Sequence, residues 1–236
     1  MTAVKEFVTH ESHFMRQRLP LQGASIVELG CGKADLARRL LQQEGVEAVT
    51  AFEVDARQHA ANLAAPPVEG LRFVLGGAES TGLAAGCCDG VMMLKSLHHV
   101  PLALLDQAID EVARILKPGG WFYVSEPVYA GAFNDLVKLF HDEGMVRAAA
   151  YAALERARER GRLAWECEIV FDTPLHFRDF EDFDARIVQV THTDLQLEGD
   201  VEREVRERFG RHMTADGARF VREMRINILR RPASTR

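Results

Sequence analysis

Residues 28–35 read Glu-Leu-Gly-Cys-Gly-Lys-Ala-Asp, two glycines between an apolar run and a helical stretch at 36–44, with an acid at each end. Glycine serves where a backbone must turn sharply and come close to a ligand, because it has no Cβ to clash and tolerates positive φ. The helix that follows presents unpaired N–H groups and the positive end of its dipole to the turn, which favours an anionic group such as a carboxylate or phosphate. The junction therefore has the outline of a site for a nucleotide-like cofactor. Further along, Glu53 and Asp55 offer carboxylates that can accept hydroxyl groups, and the His98-His99 pair and Glu126 offer groups that can take a proton.

The elements that must position these residues alternate. Apolar runs at Ser25–Leu29, Ala48–Phe52, Leu71–Leu75, Val91–Leu94 and Trp121–Ser125 read as strands, with helices near 34–44, 56–64 and 101–116 between them. Continuous apolar strands separated by helices are the pattern of a parallel sheet covered on both faces. Pro101 opens the third helix, Leu105, Ala108, Ile109, Val112 and Ile115 give it one apolar stripe, and Pro118-Gly119 ends it. Beyond Ser125 the pattern changes. Residues 131–160 read as almost wholly helical, an insertion over the sheet's edge, with Phe133, Leu136, Val137 and Phe140 on one face. A further helix is expected at 179–190 and a closing strand at 222–230, whose partner lies at either 167–173 or 191–197.

A chain of 236 residues that is 47% hydrophobic can bury one core and folds as one globular protein. The net charge of −6 speaks against a general nucleic-acid binder, although residues 201–236 hold ten Arg against five acids. Interleaved with Glu, that basic tail reads as a solvated face. No apolar run reaches the length of a membrane span, and Lys5, Glu6, His10 and Glu11 stand where a signal peptide needs an apolar core, so a cytoplasmic protein is expected. Cys31, Cys87, Cys88 and Cys167 show no C-x-x-C pair and no zinc spacing with histidine, so neither a metal site nor a disulfide framework is expected. The oligomeric state is not fixed by the sequence, which admits a homodimer.

A dinucleotide fingerprint needs a small residue at position 35, where Asp would repel a pyrophosphate, and no Gly-Lys-Ser/Thr follows the turn to make a phosphate loop. With Glu28, Gly30, Gly32 and an acid ending the second strand, the segment resembles the class I S-adenosylmethionine-dependent methyltransferases. Phe52-Glu53-Val54-Asp55, Leu75-Gly76-Gly77-Ala78-Glu79, Cys88 through Val100 and Leu116-Lys117-Pro118-Gly119-Gly120-Trp121 carry the same resemblance, in order, across residues 25–127. It implies a Rossmann-like, mostly parallel seven-stranded α/β sheet with helices on both faces and a helical insertion after the fifth strand. The chain then divides into an N-terminal helical cap (1–22), a cofactor core (25–127), an insertion or lid (128–165) and a C-terminal completion of the sheet (166–236). The implied cofactor is S-adenosylmethionine, with Gly30, Cys31 and Gly32 along its methionine end and Glu28 near its ammonium. Glu53, with Val54 beside it, is the implied ribose ligand. Asp55 is the substitute, against a reading as the cap of the next helix. Ala78, Glu79 and Lys95 complete the implied cofactor contacts. Two positions depart from the family pattern. Ala34 stands where a third glycine is usual, so the turn must close there without positive φ or with strain, and Gly77 stands where an acid for the adenine amino group is common.

Methyl transfer is an in-line displacement that needs alignment and exclusion of water, and a base only if the acceptor is protonated. His99, Glu126 and His98 are the candidate bases, with Lys95, Tyr129, His10 and His13 nearby. The histidines of this loop recur in the family whatever the substrate, which suggests cofactor-side or capping roles for them. Glu126 is expected to open toward the substrate, with a structural salt bridge as the other reading. Tyr129, Phe133, Phe140, His141 and Tyr151 could line an aromatic pocket or belong to the core. The Asn/Asp-Pro-Pro-Tyr/Phe tetrad of amino-methylating enzymes is absent, Ser125-Glu126-Pro127-Val128 standing in its place. A small-molecule methyltransferase acting on oxygen or nitrogen is the leading expectation. The alternatives are an RNA methyltransferase using Arg222, Arg225, Arg230 and Arg231, and a non-catalytic module that only holds the cofactor.

Overall fold

Each apolar run of the first half forms a parallel strand, and the amphipathic stretches between them form the connecting helices. The computed structural model describes residues 11–189 and 197–233. A short helix α1 (Ser12–Arg18) precedes β1 (Ser25–Leu29), α2 (Asp35–Gln43), β2 (Ala48–Glu53), α3 (Ala56–Ala64), β3 (Leu71–Leu75) and β4 (Cys88–Leu94). Then follow α4 (Leu105–Ile115), β5 (Leu116–Pro127), α5 (Gly131–Val137), α6 (Gly144–Glu159), β6 (Ala164–Phe177), α7 (Phe180–Phe183), α8 (Gly199–Gly210), β7 (Met213–Thr214) and β8 (Gly217–Arg230). Among the described residues the sheet has eight strands in the order β3-β2-β1-β4-β5-β8-β6, with the two-residue β7 pairing antiparallel to β8. Strands β1 to β5 pair in parallel, with Leu29 beside Phe52, Glu53 beside Leu75 and Leu94 beside Ser125. Their carboxyl ends therefore share one edge, where ligands bind in open α/β sheets.

The chain forms two compact units, Pro127–Arg147 with Val170–Met224 in one and the remaining described residues in the other. The core of the larger unit joins Val27, Leu29, Phe52, Val91, Met93, Phe122 and Val124 of the strands to the apolar stripe of α4 and to Ala150, Ala153, Leu154 and Ala157 of α6. Alanines let α6 come close, and arginines of α6 and of the turn after it meet the acids of α4, Arg156 at 3.0 Å from Asp106 and Arg162 at 3.3 Å from Asp110. The smaller unit is built on phenylalanines. Phe133, Phe177, Phe180, Phe183, Phe209 and Phe220 form one cluster with ring centroids 5.3 to 6.2 Å apart, and edge-to-face and stacked pairs add to their area burial.

Several expectations need correction. The helix expected at 101–116 begins as a 3₁₀ turn at Leu102–Leu104 and ends at Ile115, because Leu116 already belongs to β5. The helical stretch at 131–160 breaks between Val137 and Gly144, where Asp142 Oδ1 accepts both the Gly144 N–H and the Tyr129 hydroxyl. In the stretch expected as a helix at 179–190, the described residues form α7 followed directly by a π-helical turn at Asp184–Val188. The closing strand begins earlier, at Gly217, and its partner is β6, which contains the 167–173 option. The 191–197 option falls, up to residue 196, outside the described residues, as do His10 and the first ten residues of the expected N-terminal cap. No helix among the described residues is long and apolar enough to cross a membrane.

Candidate functional site

The turn after β1 is anchored amide by amide. The N–H groups of Gly30 and Cys31 both donate to the Phe52 carbonyl, at 3.0 and 2.9 Å, the Gly32 N–H donates to Glu53 Oε2 at 2.8 Å, and the Ala34 N–H donates to the Cys31 carbonyl at 2.8 Å. Four amides of the turn are thus taken by protein oxygens, which leaves a poor cradle for a pyrophosphate. The same conclusion follows from the Asp35 carboxylate at the helix entrance.

The two glycines have different reasons. Gly30, at φ +73°, lies under the Ser96 side chain, whose Cβ would stand 2.6 Å from a Cβ added at Gly30. Ser96 Oγ in turn donates to the Leu29 carbonyl at 2.8 Å, pinning the loop after β4 onto the end of β1. Gly32, at φ +52°, faces open space, with no atom within 4 Å of an added Cβ. Ala34 takes the strained alternative, at φ 56° and fully buried at the N-cap of α2, a conformation that costs an L-residue about 1–2 kcal/mol.

Glu53 ties the turn to the end of β2, since its Oε1 accepts the Asp55 N–H at 2.9 Å while Oε2 holds Gly32. Asp55 caps α3, its Oδ1 accepting the Arg57 N–H at 2.9 Å. Asn62, on α3, holds the turn from a position the sequence reading missed. It is 4% exposed, its Nδ2 donates to the Gly32 carbonyl at 2.7 Å, and its Oδ1 accepts from Gln58 Nε2 at 2.8 Å. The available signal was an asparagine inside a helix, a position asparagine does not favour, four residues after Gln58.

Glu28 is 4% exposed, and its Oε2 has no hydrogen-bond partner. Burial pushes its carboxyl up to about 8, with the charges of Asp35 and Glu53 adding to the rise and Lys95 opposing it. Burial first, then Glu28 and Glu53, also raise the Cys31 thiol far above its ordinary value, so that thiol is inert. Three acids, Glu28, Asp35 and Glu53, thus act on one another around the turn.

On the other side of β2 the chain passes Val54, 69% exposed, and reaches the loop after β3, where the Gly76 N–H donates to the Glu53 carbonyl at 3.0 Å. Gly77 carries no acid, but the Glu79 carboxylate folds back into the place a Gly77 side chain would take. Ala78 is buried beside it.

After β4, Lys95 is a second non-glycine residue at positive φ, 54°, with its N–H donating to the Ser125 carbonyl at 2.7 Å. Glu126 does not open toward solvent. It is 6% exposed, Oε1 accepts the Leu97 N–H at 2.8 Å, and Oε2 pairs with Nδ1 of His98, itself 4% exposed. A buried carboxylate must find such partners, and these two lie 28 and 29 residues away in sequence. His99 is exposed, its ring 4.1 Å from that of His98.

Each aromatic candidate has neighbours of its own. Phe133 and Phe140 pack in the phenylalanine core, and Tyr129 is spent on Asp142. His141 pairs with Glu143 at 2.9 Å, and Tyr151 carries Arg225 over its ring at 3.8 Å. His13 contacts Gln17, four residues along α1. The arginines named for RNA contact are engaged internally. Arg230 pairs with Glu166, and Arg231 donates to the Arg114 and Leu116 carbonyls.

Residues 27–124 match the family described as a methyltransferase domain. The methyltransferase phqN of Penicillium fellutanum is 29% identical over 136 residues, 56% of this chain and 40% of its own. A fatty-acid O-methyltransferase of Mycolicibacterium smegmatis is 28% identical over 121 residues, 48% of this chain and 41% of its own. The chain thus spans about two fifths of the length of these curated relatives. A solved structure of a proposed methyltransferase from Bacillus halodurans C-125 superimposes with a TM-score of 0.66 at 18% identity, over 94% of this chain and 98% of that one. At that identity the likeness is one of fold.

Proposed function

We propose that the chain, whose residues 27–124 match the methyltransferase-domain family, transfers the methyl group of S-adenosylmethionine to an oxygen or nitrogen of a small-molecule acceptor. One observation carries the reading: the turn after β1 spends its amides on protein oxygens and surrounds itself with Glu28, Asp35 and Glu53, which suits a ligand bearing cationic groups and hydroxyls. The unpartnered Glu28 Oε2 fits the ligand's ammonium, and the open space at Gly32, beside Gly30 and Cys31, fits its methionine end. Each Glu53 oxygen accepts one N–H and retains acceptor capacity for a ribose hydroxyl. In this reading exposed Val54 lies against the adenine ring. Glu79 takes the place of the missing acid at Gly77, with Ala78 and Lys95 bordering the site. Asp55 shapes the site by capping α3.

When bound, the cofactor supplies a methyl group on a positively charged sulfur. The chain's own part is to hold the acceptor in line and keep water out. Paired as they are, His98 and Glu126 fix the loop after β4, and His99 is the candidate base on its exposed side. A phenol, carboxylic acid or amine acceptor fits this arrangement, and the fatty-acid O-methyltransferase among the relatives makes carboxylic acids a sensible first panel.

Calorimetry with S-adenosylmethionine tests the cofactor half. Saturable binding is expected, weakened by about 1–3 kcal/mol in Glu53→Ala, the scale of a lost charged hydrogen bond. Methyl-labelled cofactor with small-molecule extracts tests turnover, and a labelled small product excludes a module that only binds. Absence of binding at high ligand concentration refutes the proposal.

A further inference from the structure

We propose that cofactor binding at this turn is coupled to the release of one proton from Glu28, so that affinity for S-adenosylmethionine rises with pH through the neutral range. The inference rests on the methyltransferase reading and concerns a property of the site in the absence of any acceptor.

The geometry makes the coupling. Glu28 is 4% exposed, its Oε2 is buried with no hydrogen-bond partner, and it is the penultimate residue of β1, one residue before the glycine turn. A carboxylate taken out of water without donors or a cation in contact is too costly to keep ionised, and the group holds its proton instead. The charged and titratable groups around Glu28 do not relieve it. Asp35 from α2 and Glu53 from β2 are both acids, Glu53 fixed by the amides of Gly32 and Asp55. Cys31 in the turn is a thiol held neutral, with Arg38 of α2 the weakest influence on it, and Lys95, after β4, is the smallest of the four influences on Glu28. The carboxyl at about 8 agrees with this picture.

A ligand that brings an ammonium to Oε2 changes the balance. The Glu28 O–H bond breaks, the proton passes to the bulk buffer, and the carboxylate stays opposed to the cation. Below the carboxyl's own pKa, ionising it is a cost of binding, so the apparent affinity rises about tenfold per pH unit. Above it the dependence flattens.

Isothermal calorimetry of the full chain with S-adenosylmethionine, in buffers of different ionisation enthalpy, reads the proton directly. At pH 7 or below the ligand's own α-amino group remains mostly charged. About 0.9 proton leaves Glu28 per ligand at pH 7 while the ligand's amine takes up roughly 0.1, so a net release of about 0.8 is expected, with a Kd roughly eightfold lower at pH 7 than at pH 6. Glu28→Gln, which mimics the protonated side chain and so retains the fold, is expected to bind more weakly with no proton released by the protein, whereas Asp35→Asn, which removes a charge that raises the Glu28 carboxyl, is expected to release a smaller fraction of a proton at pH 7. Wild-type binding with no proton release and no pH slope overturns the coupling and leaves the cofactor reading standing. Release that persists in a folded Glu28→Gln overturns the assignment to Glu28. Absence of binding at every pH overturns the cofactor reading and the coupling with it.

Discussion

Substituting alanine at Gly30 and at Gly32 separates folding from ligand approach within one turn. Both glycines have positive φ, +73° and +52°, so each alanine meets the left-handed penalty of roughly 1–2 kcal/mol. At Gly30 the added Cβ also falls 2.6 Å from Ser96 Cβ, whose hydroxyl is held by the Leu29 carbonyl. Neither neighbour can step aside without unpinning the loop after β4, and such overpacking costs a further 1–3 kcal/mol or so. Gly30→Ala is therefore expected to lose about 3 kcal/mol of stability. At Gly32 nothing lies within 4 Å of the new methyl, and the stiffer unfolded chain offsets part of the penalty, so about 1 kcal/mol is expected. The methyl nevertheless projects into the space assigned to the methionine end of the cofactor, and binding should fall at least tenfold. Urea unfolding gives the stabilities, and calorimetry on each folded variant gives the affinities. Wild-type affinity in Gly32→Ala refutes the placement of the ligand against this turn, and wild-type stability in Gly30→Ala refutes the contact with Ser96.

Asn62→Ala leaves the Gly32 carbonyl without its donor and is expected to cost about 1–3 kcal/mol, read by urea unfolding, with weaker cofactor binding as the turn loosens; an unchanged midpoint removes the clamp role. Glu126→Ala strands both the Leu97 N–H and His98 in a buried setting, and about 3–5 kcal/mol is expected from breaking such a pair. A double-mutant cycle with His98→Ala should show a coupling above about 0.5 kcal/mol, and strict additivity contradicts the pairing.

The local code was legible in the sequence. The runs at Ser25–Leu29 and Leu71–Leu75 form strands with those same limits, and the helix at 56–64 likewise. Apolar continuity, helical spacing and the glycines at positive φ act over a few residues and need no knowledge of distant partners. The acid-rich turn and its bias against a pyrophosphate were readable for the same reason. Where a segment's outcome depended on a remote surface, pattern failed. The partner of the closing strand was left between two candidates until β6 and β8 came together in the sheet, and the break before Gly144 rests on the side-chain bonds of Asp142. Glu126 was left between a substrate-facing base and a structural salt bridge because nothing within its own strand accounts for its charge, and the pair with His98 is the second of these. Its partners come from the loop after β4, where burial demands that a carboxylate be satisfied. Asn62 reaches the Gly32 carbonyl across 30 residues, and Glu79 fills the place left by Gly77 only because the loop folds back on itself. The sequence by itself determined where the backbone could turn and which charges line the turn; only the tertiary structure decided which of those charges are already partnered, and so which one, Glu28, remains buried and unpaired.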